Sequence, residues 1–259
     1  MARILTYNVH RCVGTDRRLD VGRVADVIAS LEPDIVALQE LDVGRARTGG
    51  VDQAHEIARR LDMAFHFHAA LKVEEELYGD AILTCLPERL VKVGPLPVLS
   101  RLEPRGALWV AIEVDGVELQ VINTHLGLVP QEQQAQAAAL AGHGWLRHEA
   151  CQAPTILLGY FNATAASVVH RTLTGRLRDA RKLSVLRRPT STFPSRMPFL
   201  RIDHLFVSEG VDVLDLDAPY TAATRVASDH LPLVMDFSLG ANGIITSARP
   251  ALPDGLSPS

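Results

Sequence analysis

The chain has 259 residues, 47% of them hydrophobic, and a net charge of −4; this profile fits a soluble globular protein and excludes disorder, a fibre and an overall basic field for nucleic acid. Its three cysteines, Cys12, Cys85 and Cys151, are odd in number and show no Cys-x-x-Cys spacing, which argues against a disulfide framework or structural zinc and fits a reducing cytoplasm. No apolar run approaches the about 18 residues of a membrane span, and a strand-like segment starting at Ala2 leaves no space for a signal peptide.

In chain order, RILTYNV, DIVALQE, MAFHFHA, DAILTCL, LVKVGPLPVL, ALWVAIEV, VELQVINTH, TILLGYF, RIDHLFVS, VDVLDLD and LPLVMDFSL each read as a strand. After the first, Asp20 is placed to cap a helix whose apolar face is Val21, Val24, Ala25 and Ile28, closed by Pro33. Ala54, Ile57, Ala58 and Leu61 predict a second helix, and the Ala- and Gln-rich residues 131–149 a third. Asp115-Gly116 separates two alternating runs and predicts a two-residue hairpin turn, whose central positions need positive φ. Leu173, Leu177, Ala180 and Ser184 predict a fourth helix over residues 168–186. Strands outnumber helices more than two to one and no linker or repeat interrupts them, so residues 1–239 are expected to form one α/β domain with two packed sheets. Residues 240–259, rich in Gly, Ser and Pro, are expected to be a loosely held tail.

Several strands end in residues that an apolar core does not use: Asn8, Glu40, Asn123 with His125, Asn162, Asp203, and Asp229 with His230. One Asn or Asp beside a turn is ordinarily structural; a series of such endings points to a site built at strand ends. Glu40 follows Gln39 at the end of an apolar run, where a carboxylate is costly without a partner. A hard cation such as Mg²⁺, which takes oxygen ligands and keeps several waters, is an economical partner; the bland alternative is a surface Glu in a strand-to-loop turn. Asp229 and His230 are adjacent, so on extended backbone they point to opposite sides. Asp203 is placed to hold one nitrogen of the His230 ring and fix its tautomer.

The segments TYNVH, DIVALQELD, INTHLG, GYFN, RIDHLFVS and SDHLPLV, in this order, resemble the endonuclease/exonuclease/phosphatase superfamily over roughly residues 2–239. The resemblance implies a four-layer α/β/β/α sandwich, DNase I-like, with two mixed sheets face to face and a site at one edge. It also implies Mg²⁺- or Mn²⁺-dependent hydrolysis of phosphoester bonds, diesters in particular. Under it Glu40 is the principal metal carboxylate, Asn8 a polar neighbour of metal and phosphate, and Asp229 the carboxylate before the catalytic histidine, His230. Asp203 orients that histidine, His125 matches a second histidine that touches the phosphate or the leaving oxygen, and Asn162 matches the Asn of a Gly-Asp-Phe-Asn loop. Arg105, in EPRGAL, is read as a cation for the phosphate. The implied partner is a phosphoester substrate, whether nucleic acid, a phospholipid headgroup or a small phosphodiester, and no protein partner is implied.

Tyr160 stands where the family places an Asp that positions or activates water, and a phenol is bulkier and neutral near pH 7. Loss of a positioned base costs about 10²- to 10⁴-fold in rate. Three readings stay open: an active phosphoesterase with another base, a homologue that binds phosphorylated ligands or nucleic acid without turnover, and an introduced replacement of Asp. Asp80, where relatives have Asn, is a candidate to restore charge beside position 160, and Thr84-Cys85 replaces a usual Ser-Arg. An impaired site predicts that Tyr160→Asp raises turnover; a compensated one predicts no gain.

Weaker signals remain. Residues 171–188 carry seven basic residues and one acid and read either as a flank that attracts an anionic ligand or as a solvated face. His66 and His68 share a strand face with no third zinc ligand nearby. Cys85 is read as a buried core residue.

Overall fold

The computed structural model of the protein describes residues 1–240 except Ser100, Ala153 and Arg187; the expected tail, from 241 onward, lies outside the described residues. The strands are β1 (Ala2–Asn8), β2 (Ile35–Val43), β3 (Ala64–Val73), β4 (Glu76–Thr84), β5 (Glu88–Pro95) and β6 (Gly106–Val114), then β7 (Val117–His125), β8 (Thr155–Tyr160), β9 (Arg178–Asp179), β10 (Asp203–Val207), β11 (Val211–Asp217) and β12 (Leu233–Leu239). All eleven predicted strands form, and the twelfth, β9, is only two residues long. One sheet runs β11-β12-β1-β2-β4-β3, the other β5-β6-β7-β8-β10-β9. Each is antiparallel except for one parallel pair, β1 with β2 and β7 with β8.

Helices α1 (Val21–Ala29) and α2 (Gln53–Leu61) cover the first sheet, and α3 (Pro130–Leu140) and α4 (Val168–Thr174) cover the second; α5 (Ala180–Leu183) and α6 (Thr224–Ala227) are single turns. Successive strand residues point to opposite faces. Ile4, Ala37, Leu108 and Leu158 therefore pack between the sheets, while Leu5, Val36 and Leu38 meet α1 and α2, and Trp109, Ile122 and Leu157 meet α3 and α4. The result is the expected α/β/β/α sandwich. No helix is long and apolar enough to cross a membrane.

Local signals mostly hold. Asp20 accepts from the Arg23 amide at 2.8 Å as the cap of α1, and Asp115 and Gly116 have φ of 51° and 78°, as their turn demands. Two helices differ from expectation. The third stops at Leu140, and Gly142 and Gly144 then carry the chain through turns. The fourth breaks: α4 ends before Gly175, β9 pairs with β10, and α5 follows, although Leu173, Leu177 and Ala180 are all buried as their spacing indicated. Cys85 is exposed rather than buried, and all three cysteines are free.

Much of the basic segment is structural. Arg178 donates to the Ser208 and Val211 carbonyls at 2.8 and 3.2 Å, and Arg188 pairs with Asp215 at 3.0 Å. Within the segment, buried Asp179 accepts both Arg201 nitrogens, at 3.0 and 2.7 Å, and His170 at 2.9 Å. Burial alone would raise its pKa, but Arg201 and His170 together hold it far below the usual carboxylate range.

The feature that sets the site is a break in the β2–β4 ladder. Register shifts between Leu38 and Leu41, and within that bulge Glu40 has φ of 63°. The Leu38 and Ala81 carbonyls lie beside the break. Asn123, fully buried on β7 in the facing sheet, reaches them both: its amide donates to the Leu38 and Ala81 carbonyls, each at 2.9 Å. Its oxygen accepts from Gln39 at 2.8 Å, and Gln39 also donates to Thr6 at 3.0 Å.

Asn123→Ala would leave two buried carbonyls and the Gln39 amide without this partner. At about 1–3 kcal/mol per orphaned group, a loss of about 3 kcal/mol or more is expected in urea unfolding, against under about 1 kcal/mol for a change at an exposed strand position. Asp179→Asn tests the second network. A carboxylate whose pKa is lowered by folding stabilises above its unfolded value, about 3.9, and that stabilisation fades as pH falls below it. The variant should unfold about 3 kcal/mol more easily at pH 7, and the gap should begin to narrow below pH of about 4 without closing at pH 3 when both are followed by circular dichroism.

Candidate active site

The parallel pairs place the C-terminal ends of β1, β2, β7 and β8 at one edge, where ligands of α/β sheets bind. The antiparallel neighbours β6, β10 and β12 bring their N-terminal ends to the same edge. Arg105, Asp203 and His230 enter the site by that route, and Asn8, Glu40, His125 and Tyr160 by the first.

Five expected residues, Glu40, Arg105, His125, Tyr160 and Asn162, line one cavity of ≈ 220 Å³. The other four stand behind the cavity wall. Asn8 donates from its amide to Glu40 Oε1 at 2.9 Å and accepts the His10 backbone N–H at 2.9 Å, so both ends of its side chain are engaged. Asp203 Oδ2 lies 2.8 Å from His230 Nδ1 and accepts the Thr192 hydroxyl. Asp229 turns to His10, 3.4 Å between Oδ1 and Nδ1. His230, 2% exposed, packs edge-on against the Tyr160 ring at 4.5 Å between centroids and is not part of the cavity wall.

Tyr160 thus separates two imidazoles from one another. Its ring lies 4.7 Å from that of His125, tilted by 31°. Burial, then the Arg105 charge and His230, push the His125 pKa well below the ordinary value, so its ring is neutral. For His230, burial acts downward, but the Asp203 carboxylate more than offsets it and the pKa rises. Two histidines with opposite displacements are the environment in which acid and base roles diverge. The Tyr160 phenol is raised by burial and by the Asp203, Glu40 and Asp229 charges.

Asp80 does not restore charge beside Tyr160. It is 2% exposed, and burial raises its pKa to about 7 against the pull of Arg105 and the Glu40 amide. Its place is beneath Glu40.

The donor set answers which cation fits. Among the described residues no three His, Cys, Asp or Glu side chains cluster as a chelating site, and His66 is engaged with Glu88. Of the three expected ligands, only Glu40 lines the cavity, with Oε1 held by Asn8 and Oε2 free of hydrogen bonds to the described residues. One oriented carboxylate in a polar cavity suits Mg²⁺, which retains most of its waters, and not zinc.

Sequence reasoning missed Arg11, Arg47, Tyr78, Glu103 and Leu128, which complete the cavity wall. His10, Arg11 and Cys12 have φ of 45°, 57° and 57°, and this left-handed turn after β1 aims Arg11 at the cavity. Nothing in those residue types announces such a turn. Arg47 is held by two bonds to buried Asp42, at 2.7 and 2.6 Å. Tyr78 sat two places before Asp80 and was the one readable signal.

Comparisons agree with this geometry. The chain is 27% identical over 251 residues to the uncharacterized protein YbhP of Escherichia coli (strain K12), covering 92% of this chain and 96% of that one. It superposes on the human Nocturnin catalytic domain with TM-score 0.67 and 22% identity, over 92% and 93% of the two chains. It also superposes on a mannosyl-6-phosphatase of Bacteroides thetaiotaomicron VPI-5482 with TM-score 0.72 and 17% identity, over 92% and 100%. The model of the endonuclease/exonuclease/phosphatase family matches residues 5–230, and the chain belongs to that family, whose members act on phosphoesters.

Proposed function

We propose that the protein is a divalent-metal-dependent hydrolase of phosphoesters, with Mg²⁺ or Mn²⁺ held at Glu40. The observation that supports this reading is the meeting of Glu40, Arg105, His125 and Asn162 in one cavity, with the Asp203–His230 pair one ring away. Asn8 orients the Glu40 carboxylate. Arg105, 7% exposed with Nε unpartnered, offers charge to the phosphoryl oxygens. Asn162, fixed by its bond to the Leu126 carbonyl at 2.9 Å, and the neutral ring of His125 position the same group. His230, whose pKa the Asp203 carboxylate raises, is a proton source one ring behind the cavity wall. A bound Mg²⁺ would supply charge neutralisation on the phosphoryl group. The free cysteines fit a cytoplasmic setting.

One observation favours a second reading, binding without turnover: the Tyr160 ring lines the cavity while His230 stays behind it. Hydrolysis of p-nitrophenyl phosphate and bis-p-nitrophenyl phosphate, with Mg²⁺ and with EDTA, separates the two. The hydrolase reading expects turnover that chelation removes and that His230→Ala lowers by about 10²-fold or more. Retained phosphate binding with neither ester cleaved leaves the second reading. Glu40→Gln removes charge with little change of shape, so Mg²⁺ binding should weaken in calorimetry while the unfolding midpoint holds; equal Mg²⁺ affinities would take Glu40 out of the metal site.

A further inference from the structure

The Tyr160 ring is 9% exposed and wedged against His125 and His230, so the direction of its hydroxyl is fixed. That hydroxyl makes no hydrogen bond to the described residues, yet it is not sealed away as the unpartnered Tyr7 hydroxyl is. It belongs to the wall of the same cavity as Arg105 and Arg11, each of which has a buried Nε without a partner. The Tyr160 hydroxyl is thus an unused donor in the wall of a cavity that two arginines also line. Asp203, Glu40 and Asp229 surround the phenol with negative charge, and a phenol is already neutral below pH of about 10. Toward an anion it acts only as a donor. An Asp at this position would act in the opposite sense, as an acceptor and a fourth carboxylate.

We propose that Tyr160 donates a hydrogen bond to a phosphoryl oxygen and thereby tunes the cavity to phosphomonoesters over diesters. The proposal rests on the phosphoester reading of the site. A monoester carries one more unesterified oxygen than a diester and, above pH of about 6, a second negative charge. A carboxylate in the wall repels each of those charges, so replacing it with a neutral donor favours the dianion more than the monoanion. The chain thereby departs from the diester preference that the family resemblance suggested.

The test uses the full chain with Mg²⁺, as wild type, Tyr160→Phe and Tyr160→Asp. Phe keeps the ring and its packing and removes only the O–H. Inorganic phosphate binding by calorimetry should weaken about 10-fold or more in Tyr160→Phe, the size of a hydrogen bond to a charged group, with the thermal midpoint little changed. On p-nitrophenyl phosphate and bis-p-nitrophenyl phosphate, the wild type should favour the monoester. Tyr160→Phe should lose more kcat/KM on the monoester than on the diester, and Tyr160→Asp should lower the monoester-to-diester ratio by about 10-fold or more. Phosphate bound equally by wild type and Tyr160→Phe overturns the donor role, and an unchanged ratio in Tyr160→Asp overturns the tuning. A wild type that cleaves neither ester ends the hydrolase reading alone; the phosphate titration then decides the donor role by itself, and phosphate unbound by the wild type overturns both.

Discussion

The contact on which the site depends lies outside the cavity, in the amide of Asn123 between the sheets. The bulge holds Glu40 on β2, and the Leu38 and Ala81 carbonyls beside it are buried, where an unpaired group costs about 1–3 kcal/mol. A single donor pair from the facing sheet meets both. Asn123 lies two residues before His125 on β7, and the bulge it bridges holds Glu40 on β2. The carboxylate that would hold the cation and the imidazole that faces the phosphate come from different sheets. Asn123 is a polar tie between the sheets beside both of them, added to the apolar packing that holds the sandwich.

Topology does the rest. A parallel pair near the middle of each sheet sends two strand ends to one edge, and antiparallel neighbours return their beginnings to it. Nine expected site residues scattered from Asn8 to His230 thus need no long functional loop to meet. The arrangement also grades them: Glu40, His125 and Tyr160 on β2, β7 and β8, with Arg105 just before β6, reach the cavity, whereas Asp203 and His230 on β10 and before β12 stop behind Tyr160.

This grading marks the limit of what the sequence carries. Strands were legible because burial alternates with period two, and the polar residues at their ends were legible because a core has no use for them. The helix expected over residues 168–186 was not: Leu173, Leu177 and Ala180 do face inward, but Gly175 and the pairing of Asp179 with Phe206 favour a turn and a short strand over helix continuation. Arg11 was invisible because three successive non-glycine residues adopt positive φ, a conformation paid for by tertiary contacts and absent from residue preferences. Arg47 depends on buried Asp42, a partner five residues earlier that reads as one more polar residue at a strand end. Asn8 reads as a site residue and is one, but both ends of its amide hold the protein together around Glu40.

The substitution at position 160 is best understood through its neighbours. Three carboxylates act on that point, and Asp80, the residue whose charge was expected to compensate, is buried elsewhere with its pKa raised to about 7. What changes with Tyr160 is therefore the balance between donor and acceptor, with no charge moved in from a second position. The ring also has a mechanical consequence: it packs against both imidazoles and occupies the space beside them. His230 is one of the groups that lower the His125 pKa, and Asp203 raises that of His230. A small Asp could not fill that volume, so water would enter between the rings and screen the coupling. The phenol preserves the difference between the histidines by excluding water, and its one polar atom is left for whatever anion the cavity takes.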